Sequence, residues 1–176
     1  MLLQKGPDAS TLSASKRFGS YKPEIESRVR QPHVKEDPCL RRFTRIWKQF
    51  EIIHECEEYG IKDEHSLEKT YEAVGKASSG ALFTPEEIAK IVVASAPLLN
   101  ERYHRLKTGL LLSWLINYGK DDSYALVMQH LPRAIPAIGA WNTKEIEIIG
   151  DTDPYLGYCM RSGLIHVKGD AKGDWS

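Results

Sequence analysis

The chain has 176 residues, 41% of them hydrophobic, and its 24 Lys and Arg residues balance its 24 Asp and Glu residues. This length supports one hydrophobic core, and a net charge of zero is unusual for a dedicated nucleic-acid-binding domain, which is basic as a rule. The charges are unevenly placed, however: residues 1–50 hold eleven basic and five acidic residues, whereas residues 51–72 hold two basic and eight acidic ones. Either these stretches dock on each other, within the chain or between copies, or they are two solvated faces of opposite sign.

The first 38 residues contain four prolines and five serines among scattered apolar residues. Such a stretch cannot bury enough apolar surface to offset the entropy lost when it becomes ordered. We therefore expect residues 1–38 to form a disordered basic arm, which either binds a partner or remains a tail.

Residues 39–140 carry the periodicity of a helical bundle. The strongest local signal is "TPEE", in which Thr84 is the N-cap, Pro85 is the first helical residue and Glu87 completes a capping box. The widest apolar stripe runs from Leu99 to Tyr118 and predicts a central helix. No internal repeat at a fixed period is evident. Five helices are predicted, over about residues 39–59, 63–75, 84–95, 97–118 and 121–131.

The pattern changes near the end of the chain. "NTKEIEIIG" predicts a short helix capped by Asn142 or Thr143, and "TDPYLGYCMRSG" predicts a second one capped by Thr152 or Asp153. "LIHVKGD" alternates apolar and polar residues and predicts a strand, after which Trp175 would return the chain. This order of elements, over roughly the last 35 residues, resembles the end of a winged-helix domain.

The winged-helix resemblance implies a small α/β element of residues 141–176 packed on a helical domain of residues 39–140, so the predicted fold class is mainly α. The helix that reads DNA in such domains would offer Arg161 alone, against Asp151 and Asp153. The resemblance therefore points to a protein-docking module, and a bundle that ends in a packed β-hairpin is the alternative. The candidate docking residues are Arg161, Lys168 and Lys172.

A second resemblance concerns the whole chain. A basic arm, a compact domain of this size and a tail that runs from a helix through "GLIHVKGDAKGDW" are similar to rhabdovirus matrix proteins. The Pro-Pro-x-Tyr motif often found in their arms is absent, and the middle of this chain is more helical. This resemblance implies a structural protein of a virion.

Few residues stand in a pattern for catalysis. His54 and Glu58 are four apart without the second histidine of H-E-x-x-H, and neither a phosphate-binding glycine motif nor a G-x-S-x-G elbow is present. Cys39 precedes Arg41 and Arg42, whose charges favour a thiolate, but the sequence places no histidine beside it. The sequence therefore predicts a protein that is not an enzyme and holds no cofactor or metal.

The best candidate for anion or nucleic-acid contact is "CLRRFTRIWK" in the first predicted helix. Its cations flank Phe43 and Trp47, and arginines beside aromatic rings can hold phosphates and stack on bases. In the alternative interpretation the two aromatic residues belong to the core and the cations are solvated. The candidate contact residues are Arg41, Arg42, Arg45 and Lys48.

The cysteines and apolar runs bear on the compartment. Cys39, Cys56 and Cys159 form no zinc pattern or disulfide framework and suit a reducing environment. No apolar run approaches the roughly 18 residues of a membrane span, and the first residues lack a signal-peptide core. We expect a cytoplasmic or nuclear protein without a transmembrane segment; peripheral membrane contact and a place in a virion stay open.

Together these patterns predict a non-enzymatic assembly or adaptor protein that binds a protein partner or itself. The first alternative is a nucleic-acid-binding protein, nucleocapsid- or transcription-associated, that uses the arm and the arginines of the first helix. The second alternative is a viral matrix-type structural protein.

Overall fold

The structure is a computed structural model that describes residues 37–52, 64–153 and 155–171, all within one compact unit of residues 36–176. The predicted arm lies outside the described residues up to residue 36. In the described chain, helices precede strands. The helices are α1 (Pro38–Gln49), α2 (Glu64–Ala77), α3 (Pro85–Ala94), a 3₁₀ helix (Ala96–Asn100) and α4 (Arg102–Asn117), and the strands are β1 (Ser123–Val127), β2 (Glu145–Ile149) and β3 (Leu164–Lys168).

The starts of two helices follow directly from local sequence chemistry. Asp37 caps α1, where its carboxylate accepts a 2.8 Å hydrogen bond from the backbone N–H of Cys39. Thr84 caps α3, Pro85 opens it, and the capping box with Glu87 is formed as predicted. Each side-chain acceptor satisfies an N–H that the first turn of a helix leaves without an intrahelical partner.

Helix α4 is the centre of the helical layer. Helices α1, α2 and α3 all pack against it, as expected for an apolar surface too wide for one neighbour. The predicted central helix is therefore confirmed over residues 102–117, but residues 96–100 form a separate 3₁₀ helix, because the backbone is extended at Glu101. Its most deeply buried apolar side chains, each at most 2% exposed, are Leu110, Leu111, Leu112, Leu115 and Ile116.

The three strands form one parallel sheet in sequential order, β1-β2-β3, and the register aligns Ile146 with Tyr124 on one side and Ile165 on the other. Parallel neighbours are usually joined through a helix. Here residues 128–144 and 150–163 join them through turns, so the chain winds into a coil. We call β1 with residues 128–144 the first rung and β2 with residues 150–163 the second rung.

The two connections repeat one backbone conformation. Non-glycine residues adopt the left-handed region rarely and at an energetic cost. Hydrogen bonds between the two rungs hold residues of both connections in this left-handed region. Gly157 N–H donates to the Ile138 carbonyl (2.8 Å), and Trp141 N–H donates to the Tyr158 carbonyl (2.7 Å). Alternate residues of each connection have φ between 50° and 70°: Ala137, Gly139 and Trp141 in the first rung, and Tyr155, Gly157 and Cys159 in the second.

The first rung lies directly on α4. Gly109 permits the close approach, because a Cβ atom there would lie 1.8 Å from the Pro136 carbonyl oxygen. Ser113 Oγ donates a 2.8 Å hydrogen bond to the Ala137 carbonyl and accepts one of 3.3 Å from the Ala140 N–H. Helix α3 packs against β1. The helices therefore cover the β1 side of the sheet.

The predicted fold class, a mainly α bundle of about five helices with a winged-helix-like end, is wrong. The fifth predicted helix is replaced by β1, and "NTKEIEIIG" contains β2 instead of a helix. Residues 155–159, inside the last predicted helix, are turns. The strand predicted in "LIHVKGD" is confirmed as β3, but it pairs in parallel with β2 and not as a hairpin. Trp175 lies outside the described residues.

The physical reason for the error is the side-chain period. In β1 and β2 every second side chain is buried, which is the period of a strand. Ile146 and Ile149 are also three apart, and that spacing suggested a helix, although the buried pair is Ile146 and Ile148. Helix α1 is also shorter than predicted, since the backbone is extended at Phe50. In the described part of the chain no helix is long and apolar enough to cross a membrane.

Candidate functional site

The outer edge of β3, which we call the open edge, is the end of the sheet that no described residue covers. No described strand follows β3 in the sheet, whereas β1 packs against α3. Leu164 N–H donates to the Lys144 carbonyl (3.0 Å) and so pairs with β2. Because successive residues of a strand point their backbone groups to opposite sides, Ile165 and Val167 present N–H and C=O groups at the open edge.

Apolar side chains accompany these backbone groups. Leu164 is 59% exposed and Met160 is 40% exposed. Ile165 and Val167 are half-buried and pack against the core. A strand edge with apolar side chains beside it is a template for another strand, and natural proteins usually protect such an edge. The open edge is therefore the first candidate site.

The second candidate is a cleft of about 660 Å³ between α2, α4 and the end of the first connection, which we call the aromatic cleft. Tyr118 stacks on Trp114 with ring centroids 4.0 Å apart, and Trp114 meets Tyr71 edge to face at 4.9 Å. Tyr71 in turn stacks on Trp141 at 4.4 Å. Four aromatic rings from two helices and one connection thus form a continuous column along the cleft.

Asn117 fixes this column of rings. Its amide nitrogen donates to the Tyr71 hydroxyl (2.8 Å) and to the Ala140 carbonyl (3.0 Å), and its oxygen accepts from the Thr143 N–H (3.0 Å). Burial raises the pKa of Tyr71 above its ordinary value of 10.0, so the phenol is neutral at physiological pH. The lining of the cleft is therefore held in place without a ligand.

The candidate anion-contact residues do not all lie on one surface. Arg42 pairs with Glu87 at 2.6 Å. The two aromatic residues between them face the protein: Phe43 is buried, and Trp47 Nε1 donates to Thr108 Oγ1 (3.3 Å). The other three candidates are exposed, at positions that share one face of α1: Arg41, Arg45 and Lys48.

The candidate docking residues lie in different places. Arg161 is exposed and lines the aromatic cleft. Lys168, at the end of β3, pairs with Glu147 of β2, and this hydrogen bond and charge lower the pKa of the Glu147 carboxyl. Lys172 lies outside the described residues.

Residues considered for chemistry are not assembled into a reactive centre in the described part of the chain. Cys39 is 4% exposed, and burial raises the pKa of its thiol, which is opposite to the effect expected from its neighbouring arginines. His54 and Glu58 lie outside the described residues. Within residues 37–52, 64–153 and 155–171, no group of three or more His, Cys, Asp or Glu side chains could hold a metal ion.

Comparison with known proteins identifies no relative: no family model, no curated protein and no solved structure matches the chain. The resemblances to winged-helix domains and to rhabdovirus matrix proteins therefore stay untested.

Sequence reasoning named Arg161, which lines the cleft, and Lys168, which ends β3, but it recognised neither the cleft nor the open edge, although signals for both exist. "AIGAWNTKEIEIIGD" and "YLGYCMRSGLIHVKGD" share an apolar residue before glycine, then a strand, then Gly-Asp. This repeat has no fixed period, which is why it was not evident, but it predicts stacked rungs and hence an end to the stack. The cleft has a weaker signal: Trp114 and Tyr118 are four apart on one helix, a spacing at which side chains meet.

Proposed function

We propose that this protein is a non-enzymatic assembly protein that self-associates by pairing a strand of a second copy with the open edge. The supporting observation is the asymmetry of the sheet, in which helices cover the β1 side and no described residue covers the edge of β3. Unpaired backbone groups and exposed apolar side chains at one edge favour strand addition.

The covered β1 side determines the symmetry of this dimer. A head-to-tail stack would need two open edges, so β3 pairs with β3 of the second copy, antiparallel across a two-fold axis. If the two-fold axis passes through His166, Ile165 lies opposite Val167 of the second copy. The backbone N–H and C=O groups of both residues then point toward the opposite strand. The core-facing side of the sheet then stays apolar from one copy to the next, because the side chains of Ile165 and Val167 already pack against the core.

The first test is a proline substitution at the open edge. Val167→Pro removes an N–H that faces the second copy while leaving the pairing with β2 intact. Val167→Ala is the matched control, since it shortens the side chain and keeps the N–H. Light scattering over a range of concentrations should show a dimer for the wild type and Val167→Ala, and a monomer for Val167→Pro. A wild type that is monomeric at every concentration contradicts self-association.

The second test examines the register and direction of the pairing. In a background with Cys56 and Cys159 changed to serine, His166→Cys should form an intermolecular disulfide, because residues on the two-fold axis face each other across about 4.5–5.5 Å between Cβ atoms. Gln129→Cys, also exposed, is the control and should remain reduced. A dimer that persists in Val167→Pro and does not cross-link at position 166 uses another surface.

Amide exchange gives an independent readout of the same edge. In the monomer the N–H groups of Ile165 and Val167 should exchange fast, because they face the open edge, while that of Leu164, bonded to β2, should exchange slowly. Dimerisation should slow the first two. Uniform exchange along β3 at all concentrations contradicts the proposed pairing.

A second function, nucleic-acid binding, has one favourable observation: three exposed cations at helical spacing on α1. Three phosphate contacts would give a log–log salt slope of about −2 for single strands. Changing Arg41, Arg45 and Lys48 to glutamate should abolish a gel shift. Arg42→Gln should leave most of the binding, because Arg42 is already paired with Glu87. Binding that ignores salt contradicts this function.

A further inference from the structure

The aromatic cleft has the dimensions and rigidity of a ligand site. Its volume of about 660 Å³ lies within the range of small-molecule pockets, roughly 300–1,000 Å³. Hydrogen bonds of Asn117 hold the rings in place. Gly75 brings α2 against the cleft, because a Cβ atom there would lie 2.3 Å from the Trp114 ring. A preformed site costs little ordering when a ligand binds.

The exposed ring of the column favours a ligand with a flat apolar face. Tyr118 is 55% exposed even though its ring stacks on Trp114 at an interplanar angle of 20°. An aromatic side chain that is held rigidly and left exposed offers a large contact area with little loss of rotamer entropy on binding. Such a platform accepts either another aromatic ring or the C–H face of a sugar ring.

The charges around the cleft identify the rest of the ligand. Glu68 and Glu72 on α2 contribute two negative charges, and Lys76 and Arg161 contribute two positive charges. None of the four forms an ion pair with another described residue. The cleft is therefore neutral in sum, and it presents two carboxylate acceptors beside ammonium and guanidinium donors.

This balance distinguishes between classes of ligand. A phosphate group would meet two carboxylates, and a quaternary ammonium would meet Lys76 and Arg161, so either charged ligand faces a like-charge repulsion. A hydroxyl group both donates and accepts hydrogen bonds. A neutral ring that carries hydroxyls on its rim and C–H groups on its face satisfies the carboxylates, the cations and Tyr118 together.

We propose that the aromatic cleft binds a neutral sugar ring, stacked on Tyr118 and hydrogen-bonded by Glu72 and Arg161. The proposal is independent of the open edge, since it rests on α2, α4 and residues 141–161. The structure assigns the sugar class and no particular sugar, so a panel of glucose-, xylose- and N-acetylglucosamine-based tetrasaccharides is the appropriate probe.

The experiment is a titration of the full chain followed by calorimetry and by NMR shifts of the indole N–H groups. At least one neutral tetrasaccharide should bind at millimolar concentration and shift Trp114. Tyr118→Ala should weaken that binding about tenfold, the worth of one aromatic stacking contact, and Tyr118→Phe should retain it. Lys69→Ala, on α2 but outside the cleft, is the control and should bind as the wild type does.

Three results would overturn the proposal. The first is no binding of any tetrasaccharide at the highest soluble concentration. The second is preferential binding of adenosine monophosphate or of choline, offered in parallel as the anionic and cationic alternatives. The third is sugar binding that Tyr118→Ala leaves unchanged, because the sugar then occupies another site. Circular dichroism of each variant establishes that it is folded before its binding is compared.

Discussion

The contact between α4 and the first rung allows a test in which two physical effects predict opposite signs. Gly109 lies inside a 16-residue helix, and alanine is favoured over glycine by about 1 kcal/mol in a helix interior. Helix propensity alone therefore predicts that Gly109→Ala stabilises the protein. The structure predicts the reverse, because the new Cβ atom would lie 1.8 Å from the carbonyl oxygen of Pro136, and a backbone atom cannot rotate away as a side chain can.

The size of the destabilisation follows from the contacts between α4 and the first connection that the new Cβ atom disturbs. Overpacking costs about 1–3 kcal/mol. If α4 withdraws from the first connection, the two hydrogen bonds of Ser113 and the one from Asn117 to Ala140 are strained, at about 1 kcal/mol each. After subtracting the gain in helix propensity, we expect Gly109→Ala to lower the free energy of unfolding by about 3–5 kcal/mol.

Urea unfolding followed by circular dichroism measures this change. Lys69→Ala, exposed on α2, is the control for an alanine substitution in a helix and should change the stability by less than about 0.5 kcal/mol. A double-mutant cycle locates the effect: Ser113→Ala should cost less in the Gly109→Ala background, because its hydrogen bonds are already weakened there. Unchanged or increased stability of Gly109→Ala refutes the reasoning.

Three further predictions use other parts of the structure. A thiol reagent at neutral pH should modify the exposed Cys159 quickly and Cys39 only after unfolding, because Cys39 is buried and burial raises the pKa of its thiol. Mass spectrometry of peptides measures the two modification rates. Lys168 lowers the pKa of Glu147 below its ordinary value of 4.5, so the wild type should be more stable than Glu147→Gln above that pH and should lose this advantage as the pH falls through the lowered pKa. Melts of both proteins over a range of pH measure the difference, and a difference that does not change with pH contradicts the pairing. Glu87→Ala removes the capping box and the ion pair with Arg42, and we expect a loss of about 1–2 kcal/mol in urea unfolding; Glu87→Gln should retain part of it.

The helical half of the fold could be predicted because its signals are local. The Thr84 capping box and the apolar stripe of α4 depend on residues within a few turns of each other. The strands β1 and β2 could not be recognised in the same way, although the alternation of apolar and polar residues predicted β3 correctly. Each is five residues long, and an apolar stretch of that length is compatible with either period. What stabilises β2 is pairing with β1 and β3, which are distant in sequence.

The connections were unpredictable for a different reason. Left-handed φ values at Gly139 and Gly157 agree with the permissiveness of glycine, but Trp141 and Tyr155 adopt the same region without that freedom. Their conformation follows from the stacking of one rung on the other, so neither rung specifies it alone. The aromatic cleft could not be predicted for the same reason, because the position of one of its stacked rings, Trp141, depends on the conformation of the first connection.

The second rung joins the two proposed sites physically. Trp141, in the cleft, donates its N–H to the Tyr158 carbonyl, and Arg161, also in the cleft, donates its N–H to the Asn142 carbonyl. The same rung leads directly into β3 and the open edge. The first rung is held by α4 and by the second rung. In the second rung, β2 pairs with both β1 and β3, and the backbone of residues 157–162 is held by hydrogen bonds to the first rung. A strand added to the open edge would lie beside β3, so it would act on the strained backbone of the second rung through β3. Because Asn117 already holds the rings of the cleft, and Arg161 is its one lining residue on the second rung, dimerisation should change the affinity for a sugar only slightly. By linkage, a sugar in the cleft should change the affinity of the dimer by the same small factor.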